Sequence, residues 1–472
     1  MNSLFRPTFL KTAAPLLGIS FAASLIAQNL TPEKVEALRK DADTAGKALD
    51  QLVQKTDAPE IRQDAETAKT AVGRISETLK PAAAQAQDPS DPYKGGLKYP
   101  PIAKASIESF NVPIGTTEVH VPVTLDKPSV NTVIAHVRVY DGQGGRATPD
   151  ATKAVIFYPG DPLTKTASFN VAGMGEGSNL KAVQPHVPDG GDRKGSGILI
   201  TATADAPENN PIESGREPLK FEPLGELAYS GTAETIQFDD EGGPGKFSTA
   251  LPHGRTQVGN AETGYYGTVD MGGFQRKPEG LVLSTRRLDQ PMKVGNPAMH
   301  YPFLAAMLSG HKTPETQFKY GSVEWVVQMP NRFGSWPALW LLPTTGWPPE
   351  IDVYEGFGYN GSWKFNSDLS TNLHGGEHQK RTFTRPAMAM KMRNFGLRDT
   401  LDTEFHTHSV TVDPEWITMF VDGVETMRYA NPFKGVTWFP LTNVAVKAKD
   451  ESRYDENSGD MIIQSIKIWR KE

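Results

Sequence analysis

The chain reads as mainly β. Two large stacked antiparallel sheets occupy its C-terminal half, preceded by a smaller β-sandwich and an N-terminal antiparallel helical hairpin. Three observations predict this. Between residues 31 and 80 apolar side chains recur at alternating steps of three and four, the repeat of a helix with one buried stripe. From 103 to 225 the pattern changes to short alternating runs closed by Gly/Pro turns. From 226 to 472 longer strand-like runs follow without a long amphipathic helix, and this part holds all eight tryptophans.

Composition sets outer limits. At 472 residues the chain exceeds the length at which one hydrophobic core stops growing, so two or three domains are expected. Apolar residues make up 38%, charged residues 22%, and the formal net charge is −6, which gives no sign of a nucleic-acid partner. There is no cysteine, so disulfides, thiolate nucleophiles and Cys metal sites are excluded.

The elements follow in order. Arg6 and Lys11 precede an uncharged, largely apolar run, TAAPLLGISFAASLIA, ending at Ala27. It is short for a membrane span and has no second hydrophobic run, so residues 1–27 are expected to be a signal peptide. Leu25 stands where a small residue is usual before such a cut. The expected location is secreted or periplasmic, with cell-surface association as an option, and no transmembrane segment in the mature chain.

Residues 31–80 form the hairpin. Thr31 caps the first helix and Pro32 falls where a missing N–H is harmless. Val35, Leu38, Ala42, Ala45, Leu49 and Leu52 make its stripe. Asp57 and Glu60 suit a capping box, and Ile61, Ala65, Ala68, Val72, Ile75 and Leu79 repeat the pattern up to Pro81. Both stripes are thin, so the hairpin is expected to serve as a spacer or to dock on a surface or protein. Residues 81–102 are a linker by composition.

The strands EVHVPVTL, VIAHVRVY, KAVIFYPG, TASFNVAG and GILITATA predict a β-sandwich over 103–225. The order of strands and turns through LDKPS, YDGQGG and YPGDPLTK over about 103–180 resembles a Calx-β module. Beyond 226, KYGSVEWVVQMP, PALWLLP, EIDVYE, FHTHSVTVDP, WITMFVDGVET and MIIQSIKIWR read as strands, with Asp422-Gly423 a hairpin turn.

Within EIDVYE, three carboxylates fall in six residues. Alternation puts Glu350 and Asp352 on one face. Glu355 is five residues from Glu350 and would face the other way unless a bulge around Val353–Tyr354 restores the parity. A row of three carboxylates raises at least one pKa. It fits a solvated acidic edge, a calcium site, or the carboxyl pair of retaining glycoside hydrolysis, which needs a spacing of roughly 5–5.5 Å. Trp336, Trp340 and Trp347 precede the row and Trp363 follows. Indole faces suit either core packing or the apolar faces of sugar rings. His374, His406 and His408 are candidate substrate or carboxylate contacts, and each could equally be structural.

The stretch from Lys319 to Glu355, KYGSVEWVVQMPNRFGSWPALWLLPTTGWPPEIDVYE, resembles the centre of glycoside hydrolase family 16. FDDE, RTQVGNAETGYY, GLVLSTRR and the late strands extend the likeness over about 230–472. The resemblance implies a catalytic β-jelly-roll at 226–472, two curved antiparallel sheets with a concave cleft. It implies Glu350 as nucleophile, Asp352 as auxiliary and Glu355 as acid/base. Asn260, Glu262, Trp336, Trp340 and His374 would line the cleft, and Trp347 and His406 are added as substrate-binding candidates from the reading above. The motif is the longer Glu-x-Asp-x-x-Glu form of laminarinase-, agarase- and carrageenase-like members. GWPP stands where laminarinase-like members often have GWPACG. The expected function is endo-acting, retaining hydrolysis of a linear polysaccharide: a β-glucan, a galactan or a bacterial exopolysaccharide. The alternatives are transglycosylation on the same glycans and non-catalytic carbohydrate binding at the envelope. No organic cofactor is implied, and calcium would be structural.

Overall fold

The computed structural model describes residues 32–55, 62–63, 65–66, 68–69, 72, 105–106, 109–125, 128, 131–186, 198–212, 215–239, 246–295, 297–377, 380–384, 390–448, 453–455 and 459–472. The expected leader at 1–27 and linker at 81–102 lie outside these residues.

Two compact units divide the chain, Met1–Pro92 and Tyr93–Glu472. In the first, Pro32–Lys55 is an α-helix, and residues 62–63, 65–66, 68–69 and 72 are also helical. Lys69 pairs with Asp50 at 2.6 Å, but both side chains are exposed, so the pair adds little stability. Among the described residues no helix is long and apolar enough to cross a membrane.

The second unit begins with a five-stranded sheet, ordered Phe110–Pro113, Ile198–Thr203, Asn179–His186, Val133–Asp141 and Thr152–Phe157. A three-stranded sheet accompanies it, with Glu118–Leu125 between Ala105–Ser106 and Thr164–Asn170. Alternation along Glu118–Leu125 turns Val119, Val121, Val123 and Leu125 inward, where they join Val133, Val137, Val139 and Phe169 in one core.

Two eight-stranded sheets make up the rest. The inner sheet runs Gly264–Tyr266, Met299–Ser309, Trp438–Val446, Ser335–Pro343, Glu350–Glu355, Asn372–Glu377 and Lys380–Thr384, with Arg286–Val294 also on Met299–Ser309. The outer sheet runs Phe274–Lys277, Gly280–Leu283, Met461–Lys471, Tyr320–Gln328, His406–Val412, Trp416–Val421 and Val424–Ala430, with Glu226–Thr232 also on Met461–Lys471. Trp325, Leu339, Leu341, Ile351, Val410, Ile463 and Ile466 fill the space between them. Two antiparallel sheets were expected over 226–472, but Gly264–Tyr266 runs parallel to Met299–Ser309; in the five-stranded sheet Phe110–Pro113 also runs parallel to Ile198–Thr203. Side-chain alternation reports which face is buried, and says nothing of strand direction.

Candidate active site

The site is built on the strands Ser335–Pro343, Glu350–Glu355 and Asn372–Glu377, which lie side by side in the inner sheet. Ile351 points into the core between the sheets, so Glu350 and Asp352 point the other way. Asp352 stands opposite Trp340 and Tyr354 opposite Leu339, leaving Val353 as the extra residue of a bulge. Val353 and Tyr354 are consecutive and both enter the core, which returns Glu355 to the face of Glu350 and Asp352. Those three carboxyl groups line one cleft.

Each carboxyl has its own neighbours. The Glu355 carboxylate accepts hydrogen bonds from Trp336 Nε1 at 3.2 Å and from the Asn372 side-chain amide. Glu350 accepts from Trp347 Nε1 and lies across the strand pair from His374. His374 Nε2 approaches Asp352 Oδ2 to 3.2 Å. Burial raises all three carboxyl pKa values. Glu350 is pushed up to about 8, by desolvation first and by Asp352 second. Burial and then the charge of Glu355 hold Asp352 well above the usual carboxylate range. Glu355 is raised by burial and by Glu350, against the two donors that favour its ionised form. Burial and mutual repulsion favour the protonated forms along this row, which a solvated acidic edge does not do.

The open cleft continues past the carboxyls over Trp336, Trp340, Asn260, Glu262, Tyr266 and Asn443. Trp336 and Trp340, two apart on either side of Ala338, share this face. Glu262 accepts from Tyr266 OH at 2.9 Å and from Asn260 Nδ2 at 3.3 Å, and burial pushes it up to about 7. Trp340 Nε1 donates to Asn443 Oδ1 at 2.6 Å, which fixes the plane of the indole. Glu350, Asp352 and His374 also bring three possible metal-ligand atoms within 4.8 Å of one another, an imidazole nitrogen and two carboxylate oxygens.

The structure thus brings together Asn260, Glu262, Trp336, Trp340, Trp347, His374 and the three carboxyls. It does not bring His406 to them. His406 is on the outer sheet, where Nδ1 meets Asp422 at 2.7 Å and Nε2 meets Thr400 at 3.0 Å. Its expected role as a substrate contact is corrected for that reason: its strand pairs with Tyr320–Gln328 behind the cleft. His408 is buried against the Tyr354 ring, 5.2 Å between centroids, and desolvation pushes its pKa down to about 3, so it is a neutral packing residue. Trp363 also packs in the core, edge-on to Phe357.

Among the residues of the site missed in the sequence are Asn372, Tyr266 and Asn443. Asn372 had a signal, since it lies two residues before His374 and shares its face. Asn443 is a polar residue inside the apolar strand WFPLTNVAV.

Residues 270–458 match the model of Glycosyl hydrolases family 16. Endo-1,3-1,4-beta-glycanase EglC of Rhizobium meliloti (strain 1021) is 28% identical over 217 residues, 43% of this chain and 42% of that protein. Beta-glucanase of Rhodothermus marinus is 29% identical over 179 residues, 34% of this chain and 58% of that protein. The chain therefore spans about half the length of these two curated relatives. Among solved structures, SCLam, a non-specific endo-beta-1,3(4)-glucanase, aligns over 54% of this chain and 96% of its own at 19% identity, with a TM-score of 0.41.

Proposed function

With a family 16 glycosyl hydrolase domain at residues 270–458 as the premise, we propose that the chain is an endo-acting, retaining β-glycanase acting on a linear polysaccharide. One observation carries this reading: the bulge at Val353 puts Glu350 and Glu355 on one face of one strand, with Asp352 between them. Neighbouring carboxyls on a single face suit double displacement, in which no water has to fit between the nucleophile and the anomeric carbon.

In this mechanism Glu355 enters protonated, which its burial favours. It passes the proton to the departing glycosidic oxygen while the Glu350 carboxylate attacks the anomeric carbon. Glu350 has to be ionised at that moment. The Trp347 N–H stabilises its charge, and a proton held on Asp352 relieves the repulsion that otherwise raises it. Glu355, now a carboxylate, takes a proton from the incoming water as the glycosyl–enzyme bond breaks. Both groups then return to their starting states. Trp336, Trp340 and Trp347 offer rings for the sugar units, and Asn260 and Glu262 offer hydrogen bonds to hydroxyls. The open cleft suits an internal segment of a polymer.

The substrate class is a β-linked glucan, galactan or exopolysaccharide. The names of the two relatives, an endo-1,3-1,4-beta-glycanase in Rhizobium and a beta-glucanase in Rhodothermus, favour a β-glucan among these. The apolar run ending at Ala27 supports action outside the cytoplasm. Calcium, where bound, is assigned a structural part outside this chemistry.

The test is product analysis with the purified chain on β-1,3-glucan, mixed-linkage glucan, agarose, carrageenan and bacterial exopolysaccharide, with Glu350→Gln as control. Defined oligosaccharides of retained anomeric configuration, absent with the variant, are expected from one polymer. Inverted products, or equal turnover by Glu350→Gln, would refute the double-displacement assignment. Binding without cleavage on every polymer would replace it with a binding function.

A further inference from the structure

The N-terminal β module of the second unit is seated on the edge strand of the outer sheet, Val424–Ala430. Thr132 donates its backbone N–H to Arg428 O at 2.9 Å, and Arg428 N–H donates to Thr132 Oγ1 at 2.9 Å. Ala430 N–H donates to Asn131 Oδ1 at 2.9 Å. Glu425 N–H donates to Leu219 O, and Phe221 N–H to Gly423 O. The Glu425 carboxylate, with 0% exposure, takes both guanidinium nitrogens of Arg216 at 2.8 and 2.9 Å. Arg216 lies over the Tyr158 ring, whose hydroxyl donates to Glu425 O. An open sheet edge is thereby covered along its length.

Tyr429 sits between the two anchored residues Arg428 and Ala430, and points into the sandwich with 1% exposure. Its hydroxyl meets Thr371 Oγ1 at 2.9 Å, a bond that crosses from the outer sheet to the chain beside the inner-sheet carboxyls. Both neighbours of Thr371 hold Glu355. Ser370 O accepts the Glu355 backbone N–H at 2.9 Å, and the Asn372 amide donates to the Glu355 carboxylate. Residues 370–372 are the cradle of Glu355, and the middle residue is tied to Tyr429.

Taking Glu355 as the acid/base of the proposed function, we propose that Tyr429 is a positioning residue for it. The docked module, by anchoring the strand on both sides of Tyr429, sets where that hydroxyl stands. Without the bond, residues 370–372 are free to shift and the Asn372 donor loses its alignment. An ionised Glu355 then loses one of its two side-chain donors, so its titration moves upward. The other groups facing Glu355 are Glu350 and Asp352 on its own strand, His374 on the next strand, Tyr359 in the loop that follows, and Glu262 with Lys447 across the cleft. None of them touches Tyr429 through the bonds described, so their own contributions stay constant.

The experiment uses the full chain with Tyr429→Phe, which keeps the buried ring, and Thr371→Val, which keeps the shape. Thermal unfolding verifies that each variant is folded. The Glu355 carboxyl is followed by ¹³C NMR against pH, with Glu355→Gln to assign its signal, and the pH profile of kcat/KM is taken in parallel. Expected are an upward shift of the Glu355 titration in both variants and no further shift in the double variant. The alkaline limb of kcat/KM should move the same way, with activity about fivefold lower near neutral pH, the equivalent of one hydrogen bond. Arg216→Met, or the milder Asn131→Ala, is expected to shift the titration in the same direction by less. A wild-type titration in Tyr429→Phe and Thr371→Val overturns the positioning role. A wild-type titration in both Arg216→Met and Asn131→Ala overturns the part given to the module. If no glycan is cleaved, the glycanase reading falls while the NMR titration still decides this inference.

Discussion

Trp336 donates its indole N–H to the Glu355 carboxylate at 3.2 Å, from a strand on which Ala338 stands directly opposite Glu355. The ring lies in the cleft edge-on to Tyr359, 5.3 Å between centroids, and the ammonium of Lys447 sits 4.8 Å from it. Under the proposed function one side chain would serve both as a sugar platform and as a donor to the acid/base.

Trp336→Phe separates these two roles. The platform survives and the donor is lost. That donor favours ionised Glu355, so its removal raises the Glu355 pKa and keeps the acid protonated to higher pH. The alkaline limb of the kcat/KM profile should shift upward, with a fall in kcat of about three- to tenfold. An alkaline limb that stays in place or moves to lower pH contradicts the assignment of Glu355 as acid.

Glu350 makes stability depend on pH. Its folded pKa of about 8 lies above the unfolded value of roughly 4.3–4.5, so the folded state binds more protons between those limits. Stability should fall as pH rises from about 4.5 to about 8. Glu350→Gln removes the titration and should flatten the slope in this window. Denaturant unfolding of both chains at several pH values measures it, and parallel curves would show that Glu350 is not destabilised by its site.

The bulge makes a prediction about chain length. Deleting Val353 leaves Glu350, Asp352 and Glu355 at alternate positions, on one face. The deletion variant should lose some stability, because Val353 is part of the core, yet retain measurable cleavage. Complete loss of cleavage in a Val353-deletion chain that still folds, assayed on the cleaved polymer, rules the face argument out.

His406 offers a control. It holds Asp422 and Thr400 in the outer sheet, away from the carboxyls. His406→Gln should lower stability by about 1–3 kcal/mol through lost buried hydrogen bonds and leave KM unchanged. A raised KM with normal stability would return this histidine to the cleft.

The sites that were legible in the sequence are those that depend on neighbours along the chain. Alternation placed Glu350 with Asp352, the odd spacing to Glu355 called for a bulge, and the spacing of Trp336 and Trp340 put both indoles on one face; the structure has each of these. His374 followed from the family resemblance. Read from the residues alone, His374, His406 and His408 had equal grounds, and only the first is in the site.

What the sequence alone determined is which residues share a face of one strand, since that follows from a backbone period of two. What the tertiary structure decided is which strands become neighbours. Asn372 reaches Glu355 because its strand lies beside Glu350–Glu355, and His406 does not because its strand joins the opposite sheet. Strand order comes from packing two sheets around a shared core and from which edges are covered, and these are properties of contacts far apart in the chain.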